Sequence, residues 1–184
     1  EQARVPTPRW ILREEDSAFQ FNAFPAIVKP AAEHCSYGIT RDSVVLNLAE
    51  ARKQVARCIH EFKQPAMVEE FLDSAEYNVS VWGSDQHPAG LEVLGISTMT
   101  YDYFGDIRDR LCTFEAKWDP ASEAYQKIPA ICPAPLSAKL KRKIEDVAIA
   151  AYRASNCRDY GRVDIRLRKD KDGEPSLPMV LDVN

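Results

Sequence analysis

The stretch Arg162-Val163-Asp164-Ile165-Arg166-Leu167-Arg168 alternates polar and apolar residues without a fault, and no other feature narrows the fold so far. A period of two belongs to a β-strand with one face buried, whereas a helix would scatter these residues around its axis. Met179-Val180-Leu181-Asp182-Val183-Asn184 follows with apolar residues at its odd-numbered positions, and Asp172-Gly173 between the runs is a turn signal. Folding the two runs into a hairpin about Gly173 sets Asp164 opposite Asp182 and Arg162 opposite Asn184. All four side chains then share one face, away from Val163, Ile165, Leu181 and Val183. Facing carboxylates repel, so either a cation or Arg162 must neutralise them. Two carboxylates and an amide oxygen are also hard donors of the kind Mg²⁺ takes. The competing reading is a surface salt-bridge face, because Arg166 and Arg168 are close by.

The remaining elements mix strands and helices. Two prolines hold Val5–Leu12 extended. Phe24–Val28 reads as a short apolar strand that ends in Lys29-Pro30, with a loop through Gly38 behind it. Asn47 is a helix N-cap with Glu50 placed to satisfy it reciprocally, and Leu48, Ala51, Val55, Ile59 and Phe62 continue a helical stripe. Strands are predicted at 66–72, 77–82 and 91–98. Tyr101–Ala134 has no clear period and reads as long loops with short strands. Leu136, Leu140, Ile144, Val147, Ala148, Ala151 and Tyr152 form the strongest amphipathic helix.

Composition removes several classes. A chain of 184 residues, 45% hydrophobic and 28% charged, is an ordinary globular protein able to form one domain or two small lobes. No apolar run approaches the roughly 20 residues that span a bilayer, and no signal-peptide pattern opens the chain. A net charge of −4 leaves no footprint for nucleic acid, and Lys139, Lys141, Arg142 and Lys143 read as a solvated helix face. Five widely spaced cysteines point to reduced thiols in the cytoplasm, and neither they nor His34, His60 and His87 have zinc-ligand spacing.

Taken singly, the other charged motifs are weak. Lys29 at a strand end offers phosphate a point charge, but the following loop holds a single glycine and is not a Walker A motif. Val68-Glu69-Glu70-Phe71-Leu72 with Glu76 reads alone as an exposed strand edge. In order, however, Ile27-Val28-Lys29-Pro30, Glu33-x-x-Ser36-x-Gly38, Val68–Leu72 with Glu76, Glu115-Ala116-Lys117, Pro133-Ala134, Gly161-Arg162-Val163-Asp164 and Leu181-Asp182-Val183-Asn184 resemble the D-alanine–D-alanine ligases of the ATP-grasp superfamily. The resemblance runs over nearly the whole chain.

That resemblance implies an ATP-grasp fold of two α+β lobes with the nucleotide between them, here 1–75 and 76–184. It implies ATP and two Mg²⁺ ions, small amino-acid substrates, and ATP-dependent C–N bond formation of the kind used in peptidoglycan biosynthesis. Lys29 matches the phosphate-binding lysine, and Glu33 and Ser36 belong to the phosphate lid. Glu69 matches the acid at the adenine amino group, Phe71 and Leu72 line the purine slot, and Glu76 accepts from ribose. Lys117 and Arg162 match the groups facing the terminal phosphate and the transferring phosphoryl group. Asp164, Asp182 and Asn184 match the magnesium ligands, with Asp182 where the family usually has the longer Glu. Cys35 and Trp118 replace a serine and a tyrosine that help hold the first substrate, and His34 replaces a lid glycine, which predicts a stiffer lid. The family's N-terminal domain and the segment beyond Asn184 are not present, so a longer protein is expected, and any homodimer would form through those parts. A nucleotide-binding module without catalysis and a natural-product amino-acid ligase are the alternatives.

Overall fold

Short connections between strands suit antiparallel pairing, and every strand pair among the described residues is antiparallel. The computed structural model describes residues 5–15, 17–83 and 90–184, so His87 lies outside the described residues. The elements are β1 (Trp10–Arg13), β2 (Ala26–Pro30), β3 (Val44–Val45), α1 (Leu48–Phe62), β4 (Ala66–Glu70), β5 (Glu76–Gly83) and β6 (Leu91–Met99). They continue with α2 (Phe114–Trp118), α3 (Glu123–Lys127), α4 (Ala138–Ala154), β7 (Tyr160–Lys169) and β8 (Pro175–Val183). The class is α+β, as the resemblance implies.

The chain forms two compact units. One comprises Pro8–Leu72 with Tyr101–Pro129; the other comprises Asp73–Thr100 and Ala130–Asn184 with the N-terminal residues up to Thr7. These units interleave in sequence, whereas the lobes expected from the motifs are contiguous. Residues 101–129 belong with the N-terminal unit.

In the first unit the sheet order is β1-β4-β2-β3. Ala26 and Val28 of β2 and Ala66 and Val68 of β4 point to one face, where Ala51, Val55 and Cys58 of α1 cover them. Each such valine contributes roughly 1.5–3 kcal/mol on burial. Asn47 caps α1 as predicted, its Oδ1 accepting from Glu50 N at 3.0 Å. The return bond differs from a closed capping box, because Glu50 accepts from the N–H of Leu46 at 3.0 Å and from the Asn47 amide at 2.8 Å. Ile27, Val44, Phe71 and Leu111 form a smaller core elsewhere in the unit. The stretch expected to hold short strands instead makes α2 and α3. Thr113 Oγ1 accepts from Ala116 N at 3.4 Å and Ser122 Oγ from Tyr125 N at 3.1 Å, so both short helices start on capping hydroxyls.

In the second unit the order is β6-β5-β7-β8. Ile144, Ala148, Ala151 and Tyr152 of α4 pack on Val79, Val81, Val163, Ile165 and Val180. Gly161 lets Tyr152 lie flat on the sheet, since a Cβ there would stand 3.0 Å from the ring. The hairpin predicted about Gly173 sets Asp164 opposite Asp182 and pairs Arg162 with Asn184 through reciprocal backbone bonds of 2.9 and 2.8 Å. The register nevertheless shifts twice on the way to the turn, between Asp164 and Ile165 and between Arg168 and Lys169. The first shift leaves Leu181 as an extra residue on β8. Val180, and not Leu181, is therefore buried opposite Ile165, which corrects the simple odd-residue alternation.

Candidate functional site

Strands β5 and β7 pair Glu76 with Arg166, Asn78 with Asp164, Ser80 with Arg162 and Trp82 with Tyr160. Because Val79, Val81, Val163 and Ile165 between them face α4, these even-numbered side chains form one row on the opposite face. Asp164 is the centre of that row. Its Oδ1 accepts from Arg162 Nε at 2.7 Å and from the Asn78 amide at 2.8 Å. Its Oδ2 accepts from Arg162 Nη2 at 3.0 Å and from the Asn184 amide at 3.1 Å. Arg162 thus pairs with Asp164, one of the two ways to neutralise a carboxylate on this face. The bidentate bond to Asp164 also raises the Arg162 pKa above its ordinary value, with Coulomb attraction as a smaller cause. Asp164 is 13% exposed and Arg162 44%, so the anion is sheltered while the guanidinium reaches solvent. Asp182 stands opposite Asp164, exposed, with its Oδ1 accepting from Val183 N at 2.9 Å.

Farther along the row, Arg166 donates from Nε to Glu76 Oε2 at 3.2 Å, with the two side chains only 4% and 15% exposed. This corrects the view of Arg166 as part of a solvated salt-bridge face. Alternation alone cannot tell a buried arginine from an exposed one; the matching carboxylate at Glu76, on a strand in register with it, is the signal that identifies it. Asn78 was likewise not singled out by the sequence, although its spacing of two from Glu76 puts it on the same face.

In the first unit, Lys29 and Glu69 occupy diagonal positions on β2 and β4 and make an ion pair at 3.4 Å. Phe71 and Leu72 just beyond β4 are buried, and Phe71 N donates to Pro25 O at 2.8 Å. Lys117 on α2 donates to Ser36 Oγ at 2.8 Å, and Ser36 in turn donates to Cys112 O at 2.8 Å. Glu33 accepts from the Gln64 amide at 2.7 Å, and the same amide's oxygen accepts from Ala32 N at 2.7 Å. Cys35 is exposed, and Trp118 is 62% exposed. Left-handed backbone in this loop falls at Cys35, Ser36 and Gly38, with φ of 56, 61 and 77°. His34 is not among them, so its position does not require a glycine's left-handed backbone.

A magnesium ion fits the donor chemistry of the second unit. Asp164, Asp182 and Asn184 supply two carboxylates and an amide on adjacent strands, and hard oxygens of this kind suit Mg²⁺ with phosphate filling further positions. Asn184 turns its NH₂ toward Asp164, so serving as an oxygen ligand requires the amide to rotate. Among the described residues no group of three or more His, Cys, Asp and Glu side chains that could hold a metal ion forms, so these three would hold an ion only together with phosphate oxygens.

The family profile described as the D-ala D-ala ligase C-terminus matches residues 7–181. The chain belongs to that family. An uncharacterized protein (y4sG) of Sinorhizobium fredii is 34% identical to this D-alanine–D-alanine ligase family member over 181 residues, covering 98% of this chain and 48% of the relative. A D-alanine–D-alanine ligase of Ralstonia nicotianae is 30% identical over 177 residues, covering 94% and 48%. The chain thus spans about half the length of the curated relatives it matches. The crystal structure of a Bacillus anthracis D-alanine–D-alanine ligase complexed with ATP superposes with a TM-score of 0.66 at 19% identity, over 98% of this chain and 49% of that one. An L-amino acid ligase from Bacillus licheniformis gives 0.66 at 18% identity, over 100% and 37%. The fold of this family member is therefore ATP-grasp.

Proposed function

We propose that the full-length protein is an ATP-dependent carboxylate–amine ligase and that this chain carries its ATP-binding part. The observation that carries the reading is the Asp164 centre: a sheltered carboxylate held by Arg162, Asn78 and Asn184 directly opposite Asp182. Family membership and the ligase names of the relatives support it. One substrate's carboxylate attacks the terminal phosphorus of ATP, releasing ADP and leaving an acyl phosphate. The second substrate's amine then attacks the acyl carbon, phosphate leaves, and the amine proton passes to solvent.

Little covalent work falls to the protein. Lys29 offers an ammonium to phosphate oxygens, Glu69 an acceptor to the adenine amino group, and Phe71 and Leu72 an apolar purine surface. Glu76, clamped by Arg166, accepts from ribose. Glu33 and Ser36 lie in the phosphate lid, and Ser36 also holds the Lys117 ammonium near the terminal phosphate. Arg162 balances charge on the transferring phosphoryl group and on the tetrahedral species. Magnesium, held by Asp164, Asp182 and Asn184, supplies further neutralisation of phosphate charge when bound. Cys35 and Trp118 are poorer acceptors than the serine and tyrosine they replace, which favours a first substrate other than D-alanine.

Arg162→Ala tests the assignment. Phosphate release by the full-length protein with ATP, Mg²⁺ and a productive substrate pair should fall in kcat by roughly 10²–10³-fold, the usual loss on removing one charge-stabilising donor. A variant with unchanged kcat removes Arg162 from the reaction.

A further inference from the structure

The row on β5 and β7 continues one step past Arg162 into a cross-strand aromatic pair. Trp82 lies opposite Tyr160, and the two side chains are 51% and 55% exposed on the face that carries Arg162 and Asp164. The Tyr160 hydroxyl lies 3.4 Å from Ser80 Oγ, whose strand position is opposite Arg162. The aromatic pair therefore occupies the next step of the face that carries Arg162, where an apolar group attached to an anionic or polar head at Arg162 could reach it. Two large aromatics side by side in solvent offer a ligand a broad apolar surface, and their area buried on binding would favour it.

From these positions we infer that Trp82 and Tyr160 form a specificity subsite for a bulky apolar side chain on the amino-acid substrate that reacts beside Arg162. The inference rests on the ligase reading above and names the substrate class of that site. Distance decides between small and large side chains. Successive residues on one strand face are about 7 Å apart, whereas the methyl carbon of alanine stands only about 1.5 Å from its Cα. Alanine held at Arg162 leaves the rings in water; a leucine- or phenylalanine-sized side chain spans the step and covers them.

The test is a comparison of amine substrates in the full-length protein, using alanine, leucine and phenylalanine of both hands with ATP and a fixed carboxylate partner. The wild type should favour the large side chains in kcat/KM by at least about tenfold, a modest demand given that a single methylene can be worth roughly 10–200-fold. Trp82→Ala and Tyr160→Ala should each raise KM for the large substrate about tenfold or more, and by much more than they change KM for alanine or for ATP. Trp82→Leu, which keeps an apolar surface, should restore part of the preference and guards against a folding defect in the alanine variant. A wild-type preference for alanine overturns the inference while leaving the ligase reading intact. So does a substrate ranking unchanged in the variants with a lowered Tm, which would make the pair a seat for the rest of the chain. No ATP-driven product with any substrate pair removes the ligase reading and this inference together.

Discussion

Asp164 shows how one residue's surroundings decide between structural and chemical roles. It takes four hydrogen bonds from three side chains and stands opposite a second carboxylate, Asp182. A purely structural ion pair asks for no Asp182. Gly38 is the residue whose freedom the loop cannot give up: its φ is 77°, and a Cβ would stand 2.7 Å from the Phe62 ring. Gly38→Ala should destabilise the protein by roughly 1–2 kcal/mol from backbone conformation alone, before any repacking of Phe62, and denaturant unfolding will measure it. His34→Gly, by contrast, should change stability little. Cys58 supplies a pH test. Burial pushes its thiol from 9.0 up to about 11 in the folded protein. The folded value is raised, so the stabilisation is complete below the unfolded value and is lost as pH rises from about 9 through 11. Between those limits Tm should fall more steeply in the wild type than in Cys58→Ala; parallel curves would contradict the assignment.

Elements read from the sequence succeeded where period and caps agreed. The helix after Asn47, the helix ending near Tyr152 and the hairpin that faces Asp164 with Asp182 all follow from local pattern. Asn47→Ala should cost about 1 kcal/mol, because the Glu50 N–H loses its acceptor, and thermal unfolding will register it. What the pattern missed has physical causes. The bulge that exchanges Val180 for Leu181 is a backbone event invisible to alternation, and it preserves the predicted pairing at the site while shifting it near the turn. Helices α2 and α3 have five residues each, too short for a stripe, and only the capping hydroxyls of Thr113 and Ser122 announce them. At the candidate site, ordered motifs singled out Lys29, Glu69, Lys117, Arg162, Asp164 and Asp182, and their roles there are part of the proposal. Asn78 and the Arg166 partner of Glu76 were missed because their significance lies in a neighbouring strand.

At the scale of the whole molecule, two α+β units interleave in sequence. Each carries part of the candidate residues: Lys29, Glu69, Ser36 and Lys117 lie in one, and Glu76, Arg162, Asp164, Asp182 and Asn184 in the other. Among the described residues no helix is long and apolar enough to cross a membrane. Family membership is shown over residues 7–181, and the curated relatives it matches are about twice the length of this chain. The central claim is that ATP cleavage is coupled to C–N bond formation. Its most direct measurement is the stoichiometry of ADP, phosphate and linked product formed by the full-length protein with Mg²⁺ and a panel of amino-acid pairs. One ADP and one phosphate for each new C–N bond, with no product when either substrate or ATP is withheld, is the predicted result; nucleotide binding without any linked product across the panel would contradict it and leave a nucleotide-binding module.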